Sequence, residues 1–322
     1  MDKDEALESF YRLNKIDKLR VHNPDSADYD KRIEELPEKL DKWLASVACD
    51  DREIFLRLFS RYTYITPAVA QERYERAVVL LKDKLAAQSL SLSDVLFITV
   101  EAPGAAKSGS DNVRTDLHRR TLDEIDKEQI IASCGKLKSD VWTGYKAIVF
   151  VDDIVGTGFT LSGEIKRVAE NYSLDNKLLY YICLIPTRSG IRFIKKKCKE
   201  INIIITPTFE KPWILPSAFK ENFTAAEEER VRCYEEIIDA YMKEPDKTFV
   251  MGFYESKQLI SFYYNTPNNT LCCFWKESDI HTPLFKRQGQ RPTLSDLKDA
   301  KTGNVENAYA IAAEKRRKGV AR

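Results

Sequence analysis

Residues 147–161 read AIVFVDDIVGTGFTL, and the fold can be read outward from them. The apolar run Ile148-Val149-Phe150-Val151 leads straight into two adjacent acids, Asp152 and Asp153. Ile154 and Val155 follow, then Gly156-Thr157-Gly158-Phe159-Thr160, and a helix-like pattern opens at Leu161. A short, β-branched apolar run closed by turn residues predicts a buried strand. Open α/β sheets bind ligands outside the carboxyl ends of their strands, which is where this strand presents its acids. The Gly/Thr loop can turn successive backbone N–H groups toward an anion, and the next helix adds the positive end of its dipole. Carboxylates beside a phosphate cradle suit a sugar phosphate. The plainer alternative is a strand end with two solvated aspartates and a helix N-cap.

Strand and helix patterns alternate on both sides. VLFITV (95–100) is a second apolar run, broken at Glu101-Ala102-Pro103-Gly104 and followed by the polar stretch AAKSGSDN. Leu117, Leu122, Ile125, Ile130 and Ile131 predict a helix. Downstream, a helix is expected over 161–171, a strand over 178–186 (LLYYICLIP), a helix over 191–199 and a strand over 201–206 (INIIIT). This alternation predicts parallel βαβ units, so residues 92–210 form an α/β core, a parallel sheet with flanking helices. Residues 1–91 read as a helical N-terminal segment, with Leu36, Leu40, Trp43, Leu44 and Val47 at helical spacing and Tyr74, Val78, Leu81 and Leu85 repeating it. Residues 211–290 read as a smaller α+β subdomain. It has a helix near 225–242, β-like segments at 248–251 and 259–264, a turn at Asn265–Asn269 and an apolar run at 271–275. Residues 291–322 are polar and carry Lys315-Arg316-Arg317-Lys318, either a solvated tail or a nucleic-acid contact.

A chain of 322 residues can bury one large core or two smaller ones. With 43% hydrophobic and 31% charged residues, wholesale disorder and fibrous repeats are excluded. The formal net charge of +1 gives no bulk attraction to nucleic acid or membrane, which leaves only local patches. No apolar run is long enough to span a bilayer, and MDKDEALESF lacks the apolar centre of a signal peptide. The seven cysteines are scattered, with no CxxC pair, and read as reduced thiols; a cytoplasmic location is expected. Adjacent Cys272 and Cys273 suit a half-buried strand better than a redox pair. His22, His118 and His281 are isolated, and no cluster has zinc-ligand spacing, so no protein-held metal is expected.

Val151–Thr160, VDDIVGTGFT, resembles the phosphoribosyl-pyrophosphate (PRPP) motif of the type I phosphoribosyltransferases. Gly156 stands where that family usually carries a small side chain, a change that keeps the backbone cradle. The resemblance implies that Asp152 and Asp153 accept hydrogen bonds from the ribose 2′- and 3′-hydroxyls, the work of acceptor-only carboxylates. Val155, Gly156, Thr157, Gly158, Phe159 and Thr160 would then hold the 5′-phosphate. It also implies a pyrophosphate loop after the earlier strand, Ala102-Pro103-Gly104-Ala105-Ala106, with Lys107 as a point charge on the leaving group. Asp152, Asp153 and Lys107 are the expected catalytic residues, and Ser108–Arg114 is an expected lid. Mg²⁺ would enter bound through PRPP. The acceptor would be read by Thr206–Ser217, where Phe209, Trp213 and Leu215 either stack on a base or pack the subdomain.

The helical front and the segment NTPNNTLCCFWKESDIHTPLFKR (265–287) are similar to a group of bacterial phosphoribosyltransferase-like proteins of conflict and anti-phage systems, including retrons. Asn265–Leu271, Trp275 and Pro283-Leu284-Phe285 carry that likeness. It implies an effector, or toxin, with a PRPP or nucleotide ligand, a reverse transcriptase with its RNA or DNA as partner, and no membrane. Two other readings stay open: a non-catalytic nucleotide sensor, and a structural subunit of a ribonucleoprotein.

Overall fold

The structure is a computed structural model that describes residues 1–23, 30–100, 125–131, 139–220, 222–242, 245 and 247–287. It divides into two compact units. One joins residues 1–70 to 216–288, and the other holds 71–215.

The second unit is a five-stranded sheet with strand order β3-β2-β4-β5-β6, parallel throughout. Its strands are β2 (Val95–Thr99), β3 (Ile130–Ile131), β4 (Ala147–Val155), β5 (Leu178–Pro186) and β6 (Ile205–Pro207). The fold class is therefore α/β, as the alternation predicts. β4 lies in the middle because both its faces are apolar, and Ala147 through Val151 are fully buried. One face carries Ile148 and Phe150 of β4 with Leu179, Tyr181 and Cys183 of β5. It packs on α7 (Ser139–Thr143) through Trp142, on α8 (Phe159–Asn171) through Leu161, Ile165 and Val168, and on α9 (Arg188–Glu200) through Ile194 and Cys198. Helix α6 (Pro67–Ala86) starts at a proline, a residue pre-set for the first helical position, and buries Tyr74, Ala77, Leu81 and Leu85.

The first unit is built on aromatic packing. Helices α1 (Lys3–Leu13), α2 (Lys18–Val21), α3 (Lys31–Glu34), α4 (Leu36–Ala45) and α5 (Arg52–Ser60) join α10 (Ala225–Ala240) and a two-stranded parallel sheet. That sheet pairs β1 (Thr63–Ile65) with β7 (Ile260–Phe262). Phe10 stacks on Phe59 at 4.9 Å between ring centroids, and Tyr62 stacks on Phe285, also at 4.9 Å. The Trp43 indole N–H donates to the Cys273 carbonyl at 2.8 Å. Asp2 caps α1 by accepting from the Glu5 N–H, and Thr224 with Glu227 forms a capping box at α10.

Several local expectations change. Thr63–Ile65 is a strand inside the stretch read as helical, because this β-branched and aromatic triplet finds a parallel partner some two hundred residues away. Ile130 and Ile131, read as the end of a helix, form β3 against Phe97 and Ile98. Residues 247–249 form a 3₁₀ turn rather than a strand, closed by the Val250 N–H on the Lys247 carbonyl and followed by Gly252 at φ +76°. Cys272–Phe274 is likewise a fully buried 3₁₀ turn. INIIIT enters the sheet only from Ile205, and Ile204 is 88% exposed.

Candidate functional site

Strand order places the site. From β2 the chain moves to β3 on one side and returns to β4 on the other, so the carboxyl ends of β2 and β4 flank a topological switch point. The Val100 N–H donates to the Val151 carbonyl at 2.9 Å and holds the two strand ends together. Asp152 and Asp153 are the next two residues of β4.

The two acids differ. Asp153 is 8% exposed, while Asp152 is half-buried opposite Cys183 of β5. Asp152 Oδ1 accepts from the Asp153 N–H at 2.9 Å. Burial first, then the charge of Asp153 and a hydrogen bond between the two side chains, push the Asp152 carboxyl well above the usual carboxylate range. Backbone N–H groups of Asp153 and Ile154 act weakly in the opposite direction. The Cys183 thiol is also pushed up, by burial and by Asp152. Two carboxyls this close share protons as a pair. Such a pair is a ready acceptor for two adjacent hydroxyls.

The loop that follows is shaped by the neighbouring βα junction. Gly158 takes φ +81° and serves as the N-cap of α8, and the Ser162 N–H returns to its carbonyl at 3.0 Å. Beneath the loop lies the start of α9. Its N-cap, Thr187, accepts from the Gly190 N–H at 3.0 Å and donates its hydroxyl to the Gly156 carbonyl. The Thr187 N–H donates to the Val155 carbonyl at 3.0 Å. A Cβ on Gly190 would meet the Val155 carbonyl oxygen at 2.5 Å and that of Gly156 at 2.6 Å; one on Gly158 would meet the Gly190 carbonyl oxygen at 2.8 Å. The two junctions touch backbone to backbone, which only glycine allows at both points. The Val155, Gly156 and Gly158 carbonyls are thus all taken by partners within the chain. Those of Gly156, Thr157 and Gly158 donate to no backbone carbonyl among the described residues. Free N–H groups at a helix N-terminus form an anion cradle.

The remaining expected residues fall as follows. Phe159 lies against Phe193 of α9 at 4.4 Å between ring centroids. Thr157 Oγ1 accepts a long hydrogen bond from the Phe159 N–H at 3.5 Å, and Thr160 sits in the first turn of α8. Ala102, Pro103, Gly104, Ala105, Ala106 and Lys107 lie outside the described residues, as does the expected lid. Past β6, Phe209 packs edge-on to Tyr181, and Trp213 is buried with the Arg73 guanidinium over its ring at 5.4 Å. Packing therefore describes both better than an open stacking platform.

Sequence reasoning missed Thr187 and Gly190. The available signal was a Thr followed three residues later by Gly directly after a predicted strand, but nothing in one dimension ties that junction to Gly156. Among the described residues no group of three His, Cys, Asp or Glu side chains is placed to hold a metal ion, and no helix is long and apolar enough to cross a membrane.

Compared with known protein families, the chain matches the family model described as PRTase-CE over residues 40–287. No curated protein and no solved structure matches the chain.

Proposed function

The chain belongs to PRTase-CE, a phosphoribosyltransferase-like family, and from that premise we propose that the β4–α8 junction binds PRPP or a ribose-5-phosphate nucleotide. One observation carries the reading. An acid pair and a loop with unclaimed backbone N–H groups sit three residues apart, Asp153 to Gly156, at the switch point of a parallel sheet, acceptors for a diol beside donors for a phosphate. Asp152 and Asp153 take the ribose hydroxyls, and Gly156–Thr160 take the 5′-phosphate.

In phosphoribosyl transfer the bond from ribose C1 to pyrophosphate breaks and pyrophosphate leaves with the electron pair. A nucleophile on the acceptor then bonds to C1 through an oxocarbenium-like transition state. The chain's task is to fix the ribose and keep the phosphate still, so catalysis rests on positioning and electrostatics. Lys107 is proposed to meet the leaving pyrophosphate. Mg²⁺ suits the site, because burial and then the charge of Asp153 raise the Asp152 carboxyl, and a nearby cation held mainly through substrate phosphates would offset both. When bound, it supplies charge neutralisation of the leaving group. We further propose that this chemistry serves a bacterial defence effector, such as that of a retron, in the cytoplasm and with a reverse transcriptase and its nucleic acid as partners. Residues 265–287 carry that part of the reading.

The test pairs calorimetric binding of PRPP with measurement of pyrophosphate release, for the wild type and Asp152→Asn/Asp153→Asn. Wild type is expected to bind and, with an acceptor extract, to release pyrophosphate; the double variant should do neither. Binding without release would make the protein a nucleotide-binding module. Equal binding by both proteins would sink the site assignment.

A further inference from the structure

Helix α9 continues away from the phosphate loop with an unusual surface. Arg188, Arg192, Lys195, Lys196 and Lys199 are all exposed, whereas Gly190, Ile194 and Cys198 are buried in the sheet core. At 3.6 residues per turn the five cations fall within an arc of about 100°, opposite the buried side, along a line of about 16 Å. Among the described residues none of the five is ion-paired with a carboxylate; the one pair on this helix joins Lys197 to Glu200.

This arrangement works against the helix that carries it. Arg188 occupies the first position, where the helix dipole favours anions, and the first turn has no acid. Arg188 with Arg192, Arg192 with Lys196, and Lys195 with Lys199 are like charges at i,i+4, a repulsive spacing. Elsewhere the chain solvates its helices differently: Glu35 pairs with Lys39 and Glu38 with Lys42 on α4, and Lys166 pairs with Glu170 on α8. A plain solvated face would follow that mixed pattern. Glu200 lies near Lys196, and Arg192 Nε donates to the Arg188 carbonyl at 3.3 Å, yet in a chain of net charge +1 five cations on one face form a local field suited to an anionic partner.

We propose that the exposed face of α9 binds the phosphodiester backbone of a single-stranded nucleic acid. Successive cations rise by about 6 Å per i,i+4 step, close to the spacing of backbone phosphates in an extended strand. A stripe confined to one face of one helix, about 16 Å long, has the dimensions to track a single strand. The apolar side of α9 is committed to the core, so the helix has no face to sink into a bilayer. The inference stands without the ribose-phosphate reading, although the row starts at the N-cap that holds Gly156.

The test is fluorescence anisotropy with a labelled oligothymidylate of about 20 nucleotides, titrated between about 50 and 200 mM salt. Wild type should bind with strong salt dependence. Arg192→Glu/Lys196→Glu/Lys199→Glu should weaken binding at least about tenfold and flatten the log–log salt slope by about 2, three contacts at roughly 0.7 each. If circular dichroism shows that this variant misfolds, Lys195→Gln/Lys199→Gln replaces it, with a slope change of about 1.4. Asp152→Asn/Asp153→Asn should keep its oligonucleotide affinity even where PRPP binding is lost. The proposal is overturned by absence of oligonucleotide binding, by unchanged affinity in the stripe variant, by loss of affinity in the acid-pair variant, or by capture on phosphatidylserine vesicles in place of the oligonucleotide.

Discussion

Asp152 shows, at the scale of one residue, a conflict between stability and binding. Its carboxyl is held above the ordinary range by burial and by Asp153, so folding works against its ionisation. A group whose folded pKa is raised contributes its stability below the unfolded value, near 3.9, and loses it as pH climbs through the folded value. At neutral pH the charged pair is therefore a cost that a bound ligand offsets. Asp152→Asn is expected to raise the Tm of the unliganded protein at pH 7. That gain should shrink as pH falls toward 4, while PRPP binding weakens at least about tenfold through loss of charged hydrogen bonds. Thermal melts across that pH range, with calorimetry, check both halves. The acids were legible in the sequence because an apolar run ends on them. Their unequal burial was not, since it depends on what β5 and its neighbours place beside each position.

Among elements, the informative object is the contact between two βα junctions. Gly190 lies in the first turn of α9, where an alanine would ordinarily stabilise the helix by about 0.5–1 kcal/mol. Here the added Cβ would meet the backbone carbonyls of Val155 and Gly156. Gly190→Ala should instead cost about 1–3 kcal/mol, the range of overpacked sites, and displace Val155 and Gly156. Denaturant melts and phosphate-dependent protection of the loop in hydrogen exchange would check it; an unchanged or higher midpoint would contradict the contact. Strand β4, its loop and α8 were readable because they are consecutive and strongly patterned. Thr187 and Gly190 were not: two junctions become neighbours only when β5 pairs beside β4. The 3₁₀ turns at 247–249 and 272–274 escaped for a related reason, since a short apolar run has no period that separates a buried turn from a strand.

At the scale of the whole chain, one unit interrupts the other. Phe10, Trp43, Tyr62 and Tyr64 find their aromatic partners among Phe274 and Phe285, contacts invisible to any reading that moves along the sequence segment by segment. Residues 1–91 made alone should therefore lack a cooperative thermal transition and expose apolar surface to hydrophobic dyes. A sharp melt from that fragment would show that its helices need no help from residues 216–288.

The same division sets an order of events on the ribosome. The sheet unit ends at residue 215 and can close as soon as it clears the exit tunnel, whereas the partners of Tyr62 and Tyr64 include Phe285. At translation rates of about 5–20 residues per second, the N-terminal aromatics wait roughly 10–45 seconds for that partner. Of the two units, the one begun earlier is thus the one completed later, and for that interval its aromatic surface is left to chaperones rather than to its own fold.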